Sequence, residues 1–175
     1  MLHLAYYDRM TDLPNRLLFE KRLRQSLGRS RRRGRCLALL LVDLDRFKEV
    51  NDTFGHAGGD LILRSVGQCL RKGLREGDVI GRLSGDEFVV LLTGADSRRE
   101  VVELVHELHH LFASPFLLDE KEVFLGASVG ISVFPLWRKG SRPGPRWTFS
   151  SGRSVSKCRD TTSVDRCRRR IWPIS

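Results

Sequence analysis

The sequence contains no apolar run of 18 residues and no signal-peptide pattern, so it predicts neither a membrane span nor secretion. Its four cysteines lack Cys-x-x-Cys spacing, the usual sign of a zinc or dithiol site. Also absent are a Gly-x4-Gly-Lys-Ser/Thr phosphate loop and a Gly-x-Gly-x-x-Gly fingerprint after a strand. We interpret Cys36 and Cys69 as buried thiols in a reducing compartment. We therefore expect a cytoplasmic protein.

Positive charge is concentrated at one end of the 175 residues, whose net charge is +10. Residues 136–175 hold eleven of the 31 Lys and Arg and two of the 21 Asp and Glu, a net of +9. That leaves 20 basic and 19 acidic residues, a net of +1, for residues 1–135. The length allows one domain with a core. We place this domain at residues 1–135, followed by a basic, irregular tail at 136–175.

The most informative segment is Ser84-Gly85-Asp86-Glu87, which lies between two apolar runs. A Ser-Gly turn between such runs predicts a tight β-hairpin. Two adjacent carboxylates at its tip repel each other and are best tolerated near a cation. The turn therefore indicates either a divalent metal site with phosphate chemistry or an exposed acidic turn.

A second acidic group follows the apolar run of residues 36–42, which is typical of a buried central strand. Asp43 and Asp45 are two residues apart, so on a strand both would lie on the same side. Opposite the acidic hairpin they would form an oxygen-rich site suited to Mg²⁺. For Asp45 the favoured alternative is a cap on the following helix.

Asn51 and Asp60 flank a glycine-bearing segment in which two helical pieces are expected to meet at residues 54–56. An amide and a carboxylate can together bind the donor and acceptor edge of a guanine. Both residue types are also ordinary helix caps.

The remaining pattern predicts an α+β domain with a mostly antiparallel sheet flanked by helices. We expect helices at 15–28, 59–72 and 96–113, a solvated basic loop at 29–35, and a hairpin of strands 116–118 and 123–134 turning at 119–121. His106 and His110 have zinc-like i, i+4 spacing, but without a third ligand they are interpreted as a solvated helix face.

Four blocks, in order, give the chain a strong resemblance to the GGDEF domain, the catalytic module of bacterial diguanylate cyclases. They are DRMTDLPNR at 8–16, VDLDRFK at 42–48, NDTFGHAGGD at 51–60 and RLSGDEF at 82–88. The resemblance covers about residues 5–135. It implies a sheet akin to those of nucleotide cyclases and polymerase palms. It also implies that two domains, each holding one GTP, form cyclic di-GMP and two pyrophosphates as a homodimer.

The resemblance also implies roles for individual residues. Asp43, Asp86 and the Leu44 carbonyl would bind Mg²⁺ or Mn²⁺. Asp86 or Glu87 would help to deprotonate the attacking 3′-hydroxyl, and Lys48 would stabilise charge on the phosphates. The substrate-binding residues would be Asn51 and Asp60, which recognise guanine, together with Phe47 and Gly85.

Two further positions bear on regulation and activity. Arg75 and Asp78 resemble the family's Arg-x-x-Asp site for inhibition by the product, cyclic di-GMP; the alternative is a charge pair at a helix end. Ser84 departs from the family's usual first glycine. If that position needs a positive φ, serine carries a steric penalty there.

The tail lacks the final helix motif and last strand that a GGDEF domain should have, and it shows no sustained helical or strand period. The change follows Phe134-Pro135 abruptly, and its Arg, Gly, Pro, Ser and Trp content is what a GC-rich gene gives out of frame. We interpret residues 136–175 as out-of-frame sequence. No residue can then be assigned to the lysine and arginine that contact the GTP phosphates in the family.

Two rival functions differ from an active cyclase. One is a catalytically inactive GGDEF module that binds GTP or cyclic di-GMP. The other is a tail-driven nucleic-acid-binding protein, which the lack of an aromatic stacking platform on a strand disfavours. We interpret the chain as a fragment of a larger sensor or phosphodiesterase-linked protein. Within this chain we expect no nucleic acid partner and no membrane segment.

Overall fold

A computed structural model of the chain describes residues 5–134 and 148–151. Its elements, in chain order, are α1 (Arg16–Arg33), β1 (Cys36–Leu44), α2 (Phe47–Lys72), β2 (Val79–Ser84), β3 (Glu87–Ala95), α3 (Arg98–His110), β4 (Phe116–Leu118), β5 (Lys121–Val123), β6 (Ala127–Phe134) and β7 (Thr148–Ser151). The mixture of helices with antiparallel strands confirms the predicted α+β class.

The main sheet has the strand order β2-β3-β1-β6-β7, and each neighbouring pair is antiparallel. The predicted buried strand, β1, lies at its centre and pairs with both β3 and β6. A strand with two neighbours and two covered faces needs apolar residues on both sides, which explains its unbroken Leu and Val run.

The helices cover the two faces of this sheet. α1 packs Phe19, Leu23 and Leu27 against one face, as their spacing predicts. The opposite face forms the larger core with α2 and α3, which bury the sets Ile62, Val66, Leu70 and Val101, Leu104, Val105, Leu108. α2 is bent at Gly55, whose φ of 71° and ψ of 171° are non-helical. The predicted junction between two helical pieces is therefore confirmed.

The expected hairpin turning at residues 119–121 is confirmed for its first strand and its turn, but the predicted second strand, 123–134, is wrong because it is divided between two sheets. β4 pairs with the three-residue β5 in a separate two-stranded sheet, and the chain then crosses to β6, which pairs with β1. An apolar run in the sequence does not indicate that the chain passes from one sheet to another within it. Gly126, at the crossing, marks the place structurally, because a Cβ there would lie 2.7 Å from an oxygen of Asp45.

The basic segment 29–35 is also not the loop we expected. α1 continues through Arg33 and ends at Gly34, whose φ is 65° and whose N–H donates to the Ser30 carbonyl. Arginine is a good helix former, so the run extends the helix by more than a turn. Ser30, in the middle of the run, is buried.

The tail is more regular than predicted at four positions, because β7 pairs with β6 through residues 129–132. The free N–H and C=O groups of an edge strand can pair with an extended segment of almost any sequence. The rest of the tail lies outside the described residues. Within the described part, no helix is both long enough and apolar enough to cross a bilayer. Cys36 and Cys69 are free thiols, half-buried where we expected full burial.

Candidate functional site

The acidic hairpin and the end of β1 meet as the sequence predicts. Glu87 lies directly opposite Asp43 in the β1–β3 pairing, and Asp86 occupies the turn between β2 and β3. The turn takes its positive φ at Gly85 (48°). Ser84 is not among the four non-glycine residues of the described part with positive φ. The serine therefore does not carry the steric penalty that a positive φ would impose.

Three acidic neighbours lie close enough to Asp43 to affect its pKa. Partial burial raises the pKa of Asp43, and the charges of Asp86, Glu87 and Asp45 raise it further. Ionised Asp43 is therefore held in an unfavourable negative field. Any cation bound here would relieve that repulsion.

Asp45 does not cap α2, so that prediction is wrong. The helix begins after Arg46, which has a φ of 58° and makes no side-chain cap hydrogen bond. Asp45 instead accepts a 2.7 Å hydrogen bond from the Ser128 hydroxyl, and its backbone N–H donates to the Gly126 carbonyl. The carboxylate is thus attached to β6, a long-range contact that local sequence cannot reveal.

Arg82 fixes the position of the acidic turn, a role that we did not predict from the sequence. It is buried on β2, and its Nε and Nη2 donate to the Gly85 carbonyl at 2.9 and 2.7 Å. Its Nη1 donates to Asp8 at 2.9 Å. A charged residue within a strand of buried residues needs a buried partner. The position of Arg82 in such a strand was therefore the signal in the sequence that could have indicated this role.

Asp8 completes this anchor from the N-terminal segment. Its carboxylate also accepts hydrogen bonds from the backbone N–H and the hydroxyl of Thr11, at 2.9 and 2.7 Å. Burial alone would raise the pKa of Asp8, but the hydrogen bonds from Thr11 and the Arg82 guanidinium outweigh it and lower the pKa. The segment before α1 is therefore joined electrostatically to the turn that carries Asp86.

Asn51 and Asp60 both lie on α2, where Gly59 contacts the first and immediately precedes the second. A Cβ at Gly59 would collide with Oδ1 of Asn51 and would lie 3.2 Å from the ring of Phe47, so the Asn51 amide lies against this glycine. Asp60 is the next residue along the helix. Within the described residues, neither side chain has a hydrogen-bond partner. Lys48 is exposed on the first turn of α2.

The donor set suits a hard divalent cation. Carboxylates of Asp43 and Asp86 with the Leu44 carbonyl are oxygen ligands of the kind that Mg²⁺ prefers. Across residues 5–134 and 148–151, however, no three His, Cys, Asp or Glu side chains converge into a metal site of their own.

Arg75 and Asp78 have partners inside the protein. The Arg75 guanidinium binds Glu100 at 2.7 Å, and Asp78 accepts hydrogen bonds from the Thr93 and Arg75 N–H groups at 2.7 and 3.3 Å. Burial raises the pKa of Asp78, and those hydrogen bonds offset part of the rise. The Arg75 side chain is still 55% exposed.

A basic cleft of about 370 Å³ adjoins this pair. Four of the residues lining it are arginines, namely Arg29, Arg33, Arg35 and Arg75. Arg35 binds Asp96 at 3.2 Å, whereas no ion pair involves Arg29 or Arg33 in the described part. Helical extension through residue 33 places these two arginines here. His106 and His110, by contrast, are exposed on α3, as expected.

Comparison with known proteins gives consistent matches. The family model described as "Diguanylate cyclase, GGDEF domain" matches residues 5–142. The bifunctional diguanylate cyclase/cyclic di-GMP phosphodiesterase MucR of Pseudomonas aeruginosa is 39% identical over 135 residues, which is 77% of this chain and 20% of MucR. Diguanylate cyclase TpbB of the same species is 38% identical over 136 residues, covering 77% of this chain and 31% of TpbB.

A solved structure agrees in fold. The sensory box/GGDEF family protein of Caulobacter crescentus has a TM-score of 0.71 and 35% identity, with 75% of this chain and 85% of that chain covered. The chain spans only a fifth to about a third of the length of the two curated relatives.

Proposed function

The chain belongs to the GGDEF domain family, and from this premise we propose that it is a diguanylate cyclase that condenses two GTP into cyclic di-GMP. The observation that carries the proposal is the pairing of Asp43 with Glu87 beside Asp86, at a turn fixed by Arg82. Transfer at a phosphate depends mostly on positioning and on neutralising charge, and this turn supplies fixed oxygen ligands for a cation.

The cyclases of this family generally need a divalent metal ion. In our proposal the ion is Mg²⁺ or Mn²⁺, held by Asp43, Asp86 and the Leu44 carbonyl. When bound, it neutralises phosphate charge and polarises the phosphate under attack. Lys48 adds positive charge near the phosphates, Gly85 leaves room for them at the turn, and Glu87 or Asp86 accepts the proton of the 3′-hydroxyl.

Guanine would be recognised on α2. The Asn51 amide lies against Gly59, and neither it nor the Asp60 carboxylate has a competing hydrogen bond in the described part. Together they offer donors and an acceptor that match the edge of guanine and mismatch that of adenine. The Phe47 ring, which lies 3.2 Å from the position of a Cβ at Gly59, would pack against a guanine bound here.

Each domain would hold one GTP, whereas the product is made from two. Two such domains must therefore meet for the reaction. We therefore propose a catalytic homodimer. Specific activity should rise with protein concentration until the dimer is saturated, and activity that is independent of concentration down to the nanomolar range would contradict this.

The direct test is turnover of GTP with Mg²⁺ by purified protein, with the nucleotides separated by chromatography. Glu87→Gln removes a carboxylate from the turn, and Glu122→Gln, exposed on β5, is the matched control. We expect cyclic di-GMP from the parent and from Glu122→Gln, and none from Glu87→Gln. Folded parent that binds GTP without forming product would instead support the inactive binding module.

We propose further that Arg75 and Asp78 belong to a site for the product. The basic cleft beside them supports this, because Arg29 and Arg33 could contact the two phosphates of cyclic di-GMP without leaving internal partners. Arg75 would have to exchange or share its contact with Glu100. Arg75→Ala should weaken cyclic di-GMP binding at least tenfold in calorimetry, whereas Arg99→Ala, on the exposed face of α3, should leave it unchanged.

Residues 136–175 remain in our proposal an out-of-frame tail, with the domain ending near residue 135. The family match stops at residue 142, soon after the proposed boundary. Sequencing the coding DNA tests this directly. A one-base correction near codon 135 should restore a final helix and strand of the family, and the proposal fails if neither alternative frame does so.

A further inference from the structure

We propose that Ser84 is a positioning residue for the Glu87 carboxylate, an inference that rests on the proposed cyclase function. The Ser84 hydroxyl donates a hydrogen bond of 3.0 Å to Oε2 of Glu87. A glycine, the residue the resemblance leads one to expect here, has no side chain that could make this contact. The substitution thus adds a hydrogen bond at the turn.

The backbone brings the two residues opposite each other. Along β2 and β3 the pairing is regular up to Arg82 and Phe88, and it then shifts by one residue so that Ser84 pairs with Glu87. Without this irregularity at Leu83, Ser84 would lie opposite Asp86. Irregularities of this kind re-aim side chains and are common beside active sites.

The same Glu87 lies opposite Asp43 on its other side, in the β1–β3 pairing. The charge of Asp43 repels the carboxylate, whereas the Ser84 hydroxyl attracts it. Within the described residues no donor reaches the second oxygen, Oε1, so it stays available for a proton or a cation. The hydrogen bond therefore restricts a flexible, half-exposed side chain to one region and leaves half of the carboxylate free.

Ser84 does not itself need to touch the substrate, so its loss should lower kcat more than it raises KM. For Ser84→Ala we expect kcat for cyclic di-GMP formation to fall about three- to tenfold, with KM for GTP changed less than about twofold. Ser84→Thr keeps the hydroxyl and should recover most of kcat. In a Glu87→Asp background, where the shorter side chain cannot reach, Ser84→Ala should have no further effect.

A measurement without turnover separates this inference from the proposed function. Urea unfolding of the parent, Ser84→Ala, Glu87→Ala and the double variant gives the coupling between the two side chains, because alanine at residue 87 leaves no acceptor for the Ser84 hydroxyl. Non-zero coupling supports the contact even if the parent forms no cyclic di-GMP, which would overturn the cyclase proposal alone. Zero coupling, or Ser84→Ala and Ser84→Gly variants as fast as the parent, would overturn the positioning role.

Discussion

Replacing Asp43 with asparagine should make the protein more stable and inactive at the same time. Asp43 lies opposite Glu87, near Asp86 and Asp45, and these charges with partial burial raise its pKa. An amide of the same shape removes one of the repelling charges and keeps the packing of β1. The same change removes a proposed ligand of the divalent cation.

The expected gain is modest because Asp43 is exposed and solvent screens its charge. Like charges directly opposite in a sheet cost about 0.2–1 kcal/mol, so Asp43→Asn should raise Tm by about 1–4 °C at neutral pH without divalent ions. Because the pKa of Asp43 is higher in the native than in the unfolded state, the parent protein loses stability as pH rises from the unfolded pKa, about 3.9, through the native pKa. The gain should therefore vanish below about pH 4.

The assay is thermal unfolding by circular dichroism in chelator, beside cyclic di-GMP formation with Mg²⁺. Asp52→Asn, an exposed acid on α2, is the matched control. A Tm of Asp43→Asn no higher than that of Asp52→Asn at pH 7, or a kcat above about a tenth of the parental value, would contradict this prediction.

Three further perturbations have definite expected outcomes. Gly59→Ala should raise KM for GTP about tenfold or more, because its Cβ displaces the Asn51 amide, and steady-state kinetics against GTP would show it. Arg82→Met should lower the free energy of unfolding by about 2–4 kcal/mol in urea titration, since it removes both donors to the Gly85 carbonyl and the ion-pair partner of Asp8. Asp8→Asn should cost stability at neutral pH, and because the native pKa of Asp8 is lowered, the difference from the parent should close as pH falls below about 4; a constant difference would contradict the ion pair.

The central strand and the acidic turn were predictable because local sequence decides them. An unbroken apolar run needs cover on both faces, and a Ser-Gly pair between such runs favours a two-residue turn. Because side chains alternate between the two faces of a strand, the pattern along β1 then determines on which face of the sheet Asp43 lies. The kink in α2 was predictable for a similar reason, since Gly55 is the residue that adopts its φ at least cost.

Contacts between distant segments were not predictable from one sequence. The Ser128–Asp45 bond spans 83 residues and the Arg82–Asp8 pair spans 74, and neither partner is marked by its neighbours. The change of sheet after β5 was missed for the same reason. The basic cleft depended on a helix boundary, and boundaries are set by packing as much as by propensity.

The proposed cyclase function is tested most sharply by cyclic di-GMP formation from GTP by the purified chain at several protein concentrations, with Mg²⁺ and with chelator. We expect product that requires the metal, that increases with dimer formation, and that disappears in Glu87→Gln while remaining in Glu122→Gln. Product formed equally by Glu87→Gln, or formed in chelator, would contradict the assignment of the acidic turn as the catalytic site.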